Sequence, residues 1–139
     1  MGMTFNATPN DDLLYVEVAG EFSLDEATRI FGTVIDLVEA NNTQNVLFDG
    51  REIIGEPTAV ERYYYAAFAS DSIMLLELHG WLLAPPRFAY VLKEPTLDPL
   101  RLGQIIAKKR GMNVKAFEKV DEAMRWLQLD AEGLSRYAE

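Results

Sequence analysis

The 139-residue chain predicts an α/β fold, a mostly parallel sheet covered by helices, and three observations carry that reading. Short apolar runs of strand length alternate with longer stretches whose apolar residues recur at helical spacing. Two capping boxes, Ser23 with Glu26 and Thr58 with Glu61, mark helix starts beyond such runs. Strands separated by helices pair in parallel through right-handed crossovers, so the order ββαβαβαβα gives one sheet with helices packed over it.

Each element has a local cause. Thr4–Thr8 and Leu13–Val18 are β-prone runs around the turn cluster Pro9-Asn10-Asp11-Asp12, which predicts an opening hairpin and an antiparallel edge. After Gly20, Ser23 caps a helix from about Leu24. Its Ala27, Ile30, Phe31, Val34 and Val38 share one face, and Asn41-Asn42 end it. Val46–Phe48 reads as a short buried strand, followed by a turn-rich loop with Gly50 and Gly55. Thr58 then caps a helix expected to turn Val60, Tyr64, Ala67 and Phe68 inward and to run past Asp71-Ser72 towards Gly80. Pro85-Pro86 resets the chain before the strand Phe88–Leu92. Asp98-Pro99, an N-cap side chain before a proline, opens a third helix with Leu102, Ile105 and Ile106 inward and Gly111 as its cap. Val114–Phe117 is the last strand, and Asp121-Glu122 open a helix that buries Ala123, Met124 and Leu127.

Composition narrows the function classes. At 49% hydrophobic and 25% charged, residues 1–139 are expected to form one domain with a sizeable core. Without cysteine there is no thiolate nucleophile, disulfide or cysteine metal site. The start, Met1-Gly2-Met3-Thr4-Phe5-Asn6, has no basic and apolar leader pattern. The runs Ile73–Leu76 and Trp81–Ala84 are too short to span a bilayer, so a cytoplasmic protein is expected. Net charge is −9 and uneven: 3 Lys+Arg face 14 Asp+Glu through Pro86, and 10 face 8 from Arg87 onward. Bulk electrostatics of this sign argue against nucleic acid. The basic group Arg101, Lys108, Lys109, Arg110 and Lys115 fits cations at a helix C-terminus, or else a patch for an acidic partner.

The junction from Asn45 to Phe68 is the candidate site, because ligands of open α/β sheets bind beyond the carboxyl ends of the strands. Asp49, Arg51, Glu52, Glu56 and Arg62 crowd it. Carboxylates can serve as acid and base when their pKa values are driven apart, but two arginines here favour neutralising ion pairs. His79 near a helix end suits the dipole, and no ligand spacing surrounds it. Tyr63-Tyr64-Tyr65 cannot all face one core, since successive helical residues turn by about 100°. At least one belongs on a rim, where tyrosine serves interfaces. No catalytic residue, metal ligand or cofactor is assigned, and the chain is read as non-enzymatic. Glu56, Thr58, Arg62 and Tyr63 are the candidate partner- or ligand-binding residues.

The exit Gly20-Glu21-Phe22-Ser23, the strand Val46-Leu47-Phe48-Asp49 before a loop and helix, and the ending Ala116 to Leu127, with Phe117, Glu122, Ala123, Trp126 and Leu127, resemble the STAS domain. That is the domain of bacterial anti-sigma-factor antagonists and sulphate-transporter tails, and the likeness spans Leu13 to Leu129. It implies a protein-interaction module in bacterial signalling that works through Gly55–Tyr65. The antagonists' phosphorylatable Asp-Ser-Ser/Thr-Gly motif falls on Glu56-Pro57-Thr58-Ala59, where Pro57 stands in the phosphoacceptor's place and Ala59 in the glycine's. Thr58 reads as a cap. The alternative is a carrier of a small apolar ligand or lipid, with the helix Ala59–Leu78 and Trp81 lining its pocket. A protein partner, including a second copy as a homodimer, suits the first reading.

Overall fold

Among residues 2–127, which this computed structural model describes, the chain runs β1 (Thr4–Asn10), β2 (Leu13–Glu21), α1 (Leu24–Asn41), β3 (Asn45–Ile54), α2 (Ala59–Leu78), β4 (Arg87–Val91), α3 (Leu102–Lys109), β5 (Asn113–Phe117) and α4 (Val120–Trp126). The sheet order is β1-β2-β3-β4-β5, with β1 antiparallel to β2 and every later pair parallel. The α/β class and the antiparallel opening edge are therefore as the sequence led one to expect. Residues 128–139, included in the reading of one domain and of a likeness up to Leu129, lie outside the described residues.

Strand order fixes the layers. When each parallel strand is laid down on the same side of the last, right-handed crossovers place every connecting helix on one face. Leu14, Val16, Val18, Val46, Phe48, Phe88 and Val114 accordingly face α1, α2 and α3. The alternate residues Leu13, Tyr15, Leu47, Ala89, Val91 and Phe117 face the other way and are covered by Val120, Ala123, Met124 and Leu127. Both faces of the inner strands are buried, which is why they read as unbroken apolar runs rather than alternating ones.

The capping box at Ser23 is half formed: its hydroxyl accepts from the Glu26 amide, while the Glu26 carboxylate accepts from the Met3 amide instead. α1 buries the five predicted residues together with Ile35, and Asn42 ends it in the left-handed conformation. Phe31 is the hub of the core. Its ring lies 6.0 Å from Phe48, 5.5 Å from Phe88 and 5.9 Å from Tyr65, joining α1 to β3, to β4 and to α2.

Three expectations need correction. β3 does not stop at Phe48 but continues to Ile54, so Gly50 lies in a strand. The chain keeps pairing with β2 past Asp49, through a bulge in which Glu17 and Ala19 match Asp49 and Glu52. On α2 the inward face is Ala66, Ala69, Ser70, Ile73 and Leu76, and Val60, Tyr64 and Phe68 are exposed. Because α2 is apolar around its whole circumference, periodicity cannot choose its buried side. Close approach chooses it, and the small residues turn towards α1 and α3. There Gly32 comes near Phe68, and Gly103 near Arg62. Finally, α3 begins at Leu102 rather than at Pro99. The Asp98 carboxylate accepts from the Leu100 and Leu102 amides, 3.2 and 2.9 Å, and Arg101 takes a left-handed conformation that separates this turn from the helix. With that start Ala107 is buried, Leu102 and Ile106 are half-buried, and Ile105 is exposed.

Phe31→Ala removes a fully buried ring and should lower unfolding stability by about 3–5 kcal/mol. Denaturant unfolding checks this, and a loss under 1 kcal/mol would show that Phe31 is not the hub.

Candidate functional site

The parting of β3 and β4 builds the site. Their last pair is Asp49 with Val91; beyond it β3 stays with β2, while the Leu92 amide bonds to the Phe117 carbonyl on β5. Gly50 sits at the fork. A Cβ there would come within 2.7 Å of both the Ile53 and Leu92 side-chain ends, so a larger residue has to displace them. Below the fork lies a cavity of about 160 Å³ between the sheet and α1, α2 and α3. Val18, Ile30, Phe48, Leu97 and Val114 make its apolar wall. Tyr65 of α2 and Tyr90 of β4 reach it from opposite sides, with their hydroxyls 2.7 Å apart. Burial pushes both hydroxyls above the ordinary tyrosine value, so both are neutral across the working pH range.

The rim is fastened by polar bonds. Gly55 turns the chain with a positive φ of 121°, and Pro57 is buried. Thr58 forms the predicted capping box: its hydroxyl accepts from the Glu61 amide at 3.1 Å, and its amide donates to the Glu61 carboxylate at 2.9 Å. Arg62 donates to the carbonyls of Thr96 and Pro95, 2.9 and 3.2 Å, and so ties α2 to the segment after β4. The Thr96 hydroxyl donates to the Gly55 carbonyl at 2.8 Å. Across the cavity, Arg101 donates to the Ala116 carbonyl at 2.6 Å and the Gln104 side chain accepts from the Ala116 amide.

Of the four candidate residues, Thr58 and Arg62 belong to this rim, Arg62 with carbonyl partners. Glu56 is exposed beside it. Tyr63 points outward, its ring edge-on to Tyr64 at 5.5 Å, so two of the three consecutive tyrosines lie on the surface and the third lines the cavity. Trp81 does not line the cavity; its indole N–H caps the Ala84 carbonyl nearby. His79 is the C-cap of α2. In the basic group, Lys108 and Lys109 occupy the last turn of α3, and Arg110 bonds Ser70 and Asp71 of α2. Among the described residues no three acidic or histidine side chains converge as a metal site. No helix among them is long and apolar enough to cross a membrane.

One buried charge cluster lies at the same sheet end. The Asp49 carboxylate accepts from the Tyr15 hydroxyl at 2.5 Å and from both ends of the Arg51 fork at 2.9 and 2.7 Å. Burial pushes the Asp49 carboxyl up, but the bonds from Arg51 and Tyr15 outweigh it and hold the group below the ordinary aspartate value. The Arg51 pair was legible from spacing. Tyr15 was not, because only the parallel register of β2 and β3 brings it to Asp49. Tyr90 and Leu97 were missed for the same reason: nothing local signals that β4 leaves β3 there.

With this geometry in place, comparison identifies the architecture. A sheet of this order, with three helices on one face and the last on the other, is the STAS fold. The crystal structure of an anti-sigma factor antagonist from Mycobacterium paratuberculosis matches it with a TM-score of 0.55, over 92% of this chain and 96% of that one, at 14% identity. No family model and no curated protein matches the sequence.

Thr58→Ala removes one half of the capping box and should lower stability by about 0.5–2 kcal/mol, while Thr58→Asp, another good cap, should be nearly neutral. Thermal unfolding of the two variants checks this. Asp49 gives a pH signature. Its pKa is depressed in the folded state, so its contribution is complete above the unfolded value near 3.9 and is lost as pH falls through the folded value. Asp49→Asn should be less stable at neutral pH and should flatten that acid limb in denaturant unfolding below pH 4.

Proposed function

We propose that this chain is a non-enzymatic regulatory module that binds a protein partner through the outer face of α2. The observation that carries the reading is the apolar surface of that helix. Val60, Tyr63, Tyr64, Phe68, Met74, Leu75 and Leu78 are all exposed, Leu78 at 73%. A helix of 20 residues is about 30 Å long, so these side chains form a strip rather than scattered points. Tyrosine and methionine are among the residues that interfaces favour. The structurally similar protein is an anti-sigma factor antagonist, named for its action against another protein, which supports a protein partner here. Pro57 in the phosphoacceptor's place argues that the partner is not released by phosphorylation of this helix start. The hydroxyl of Thr58 is occupied as a cap.

A second reading has its own observation. The cavity behind Tyr65 is walled by apolar side chains and suits a small apolar ligand.

Tyr64→Glu with Phe68→Glu alters the strip without touching the buried face of α2. The double variant should keep its melting temperature within a few degrees and lose the protein that the parent captures. Light scattering of the two proteins tests whether that partner is a second copy. Undiminished capture by a well-folded double variant would overturn the proposal.

A further inference from the structure

The cavity has a definite size and a definite polar group, and together they specify a ligand class; the inference rests on the apolar-ligand reading just given. Its volume, about 160 Å³, matches the roughly 150 Å³ apolar cavity that stays dry and accepts one benzene. Pockets for drug-sized molecules run to roughly 300–1,000 Å³, so a long acyl chain does not fit here. Aromatic rings already line part of the wall: Phe48 stacks on Tyr90 at 4.6 Å, and Tyr65 stands edge-on to Tyr90 at 6.2 Å. A further ring can extend such packing through its face or its edge.

The polar group is the tyrosine pair. Two hydroxyls carry two protons, and the contact between them uses one. The other proton has no acceptor among the described residues, and both tyrosines line the cavity, so it is open to an acceptor placed there. A donor facing an apolar wall without a protein acceptor favours a ligand oxygen that can receive its proton. The charged groups of the wall give no room for an ionic ligand. Arg62 and Arg101 are bonded to carbonyls, Glu61 to the Thr58 amide and Asp98 to two amides, and the two positive charges balance the two negative ones.

We propose that this cavity is a binding site for a neutral single-ring compound bearing one hydrogen-bond-accepting oxygen, the ring packed by Phe48 and Tyr65 and the oxygen bonded to the free proton of the Tyr65–Tyr90 pair. Neither tyrosine alone is essential, because either hydroxyl left by itself still donates.

The test uses acetophenone and cumene, which share a shape and differ in the acceptor oxygen, with palmitate as the chain-bearing probe. Amide NMR titrations of the full chain should show shifts at cavity residues with both rings. Acetophenone should bind about fivefold tighter, as one net hydrogen bond of about 1 kcal/mol gives. Tyr65→Phe with Tyr90→Phe should lose the preference for acetophenone and favour cumene, because the ketone oxygen then has no donor, and Ala27→Leu, which fills the α1 side of the cavity, should bind neither. Equal affinities in the parent protein would overturn the role of the hydroxyl pair without need of any variant. Binding of palmitate but of neither ring would overturn the single-ring class and leave the apolar-ligand reading standing. Binding of none of the three would remove both.

Discussion

Beyond Asp49 and Val91 the β3 and β4 strands separate, and the cavity with its rim depends on that separation. β3 continues beside β2 through its bulge, while β4 turns to β5 and then into the segment that carries Thr96, Leu97 and Asp98. If β4 had stayed in register with β3 to Ile54, side chains would fill the space that is now the cavity. Gly50 is where the two alternatives diverge, because a side chain there would collide with Ile53 and Leu92. The opening is then held by polar bonds across it, Thr96 to Gly55 and Arg62 to Pro95 and Thr96. The strand order has no reversal, so the opening at the carboxyl ends of the strands comes from this parting and not from a topological switch point.

α2 shows how one helix serves two surfaces. An amphipathic helix has one apolar stripe for its core. This one has large apolar side chains on both sides, with its smallest residues, Ala66, Ala69 and Ser70, where neighbouring helices press closest. Packing at that distance excludes Tyr64 and Phe68 from the interior, and they remain outside at the expense of exposed apolar area. The consecutive tyrosines divide accordingly. Tyr65 turns in to meet Phe31 and Tyr90, and Tyr63 and Tyr64 turn out.

What the sequence made legible was mostly local chemistry. The Ser23 and Thr58 caps, the inward face of α1, the Asn42 stop and the Asp49–Arg51 pair each depend on residues within a few positions of one another. What it hid depends on pairing at a distance. The length of β3 follows from β2 continuing beside it, the Tyr15–Asp49 bond from parallel register, and the Tyr65–Tyr90 contact from a helix laid over a strand 25 residues away. The late start of α3 lies between these cases: Asp98 does bond the amides after it, as its position promised, but a left-handed Arg101 places the helix one turn further on. Of the candidate residues, Thr58 and Arg62 hold the rim while Glu56 and Tyr63 are exposed, and it is Tyr65 that faces the cavity.

The fastening of α2 bears on how its two faces can act. Its first turn is held by the capping box, and its second by Arg62 on the segment after β4. A surface held in place before binding loses little conformational entropy on association, so the exposed strip can contribute more of its buried area to affinity. The same rigidity limits communication between the cavity and the strip. A ligand shifts an equilibrium only by its differential affinity for two arrangements, and an α2 held in one arrangement offers little difference to exploit. Any influence of a ring bound at Tyr65 on a partner bound at Tyr64 must therefore pass through loosening of the rim, where Arg62 and Thr96 carry the bonds that such loosening has to break.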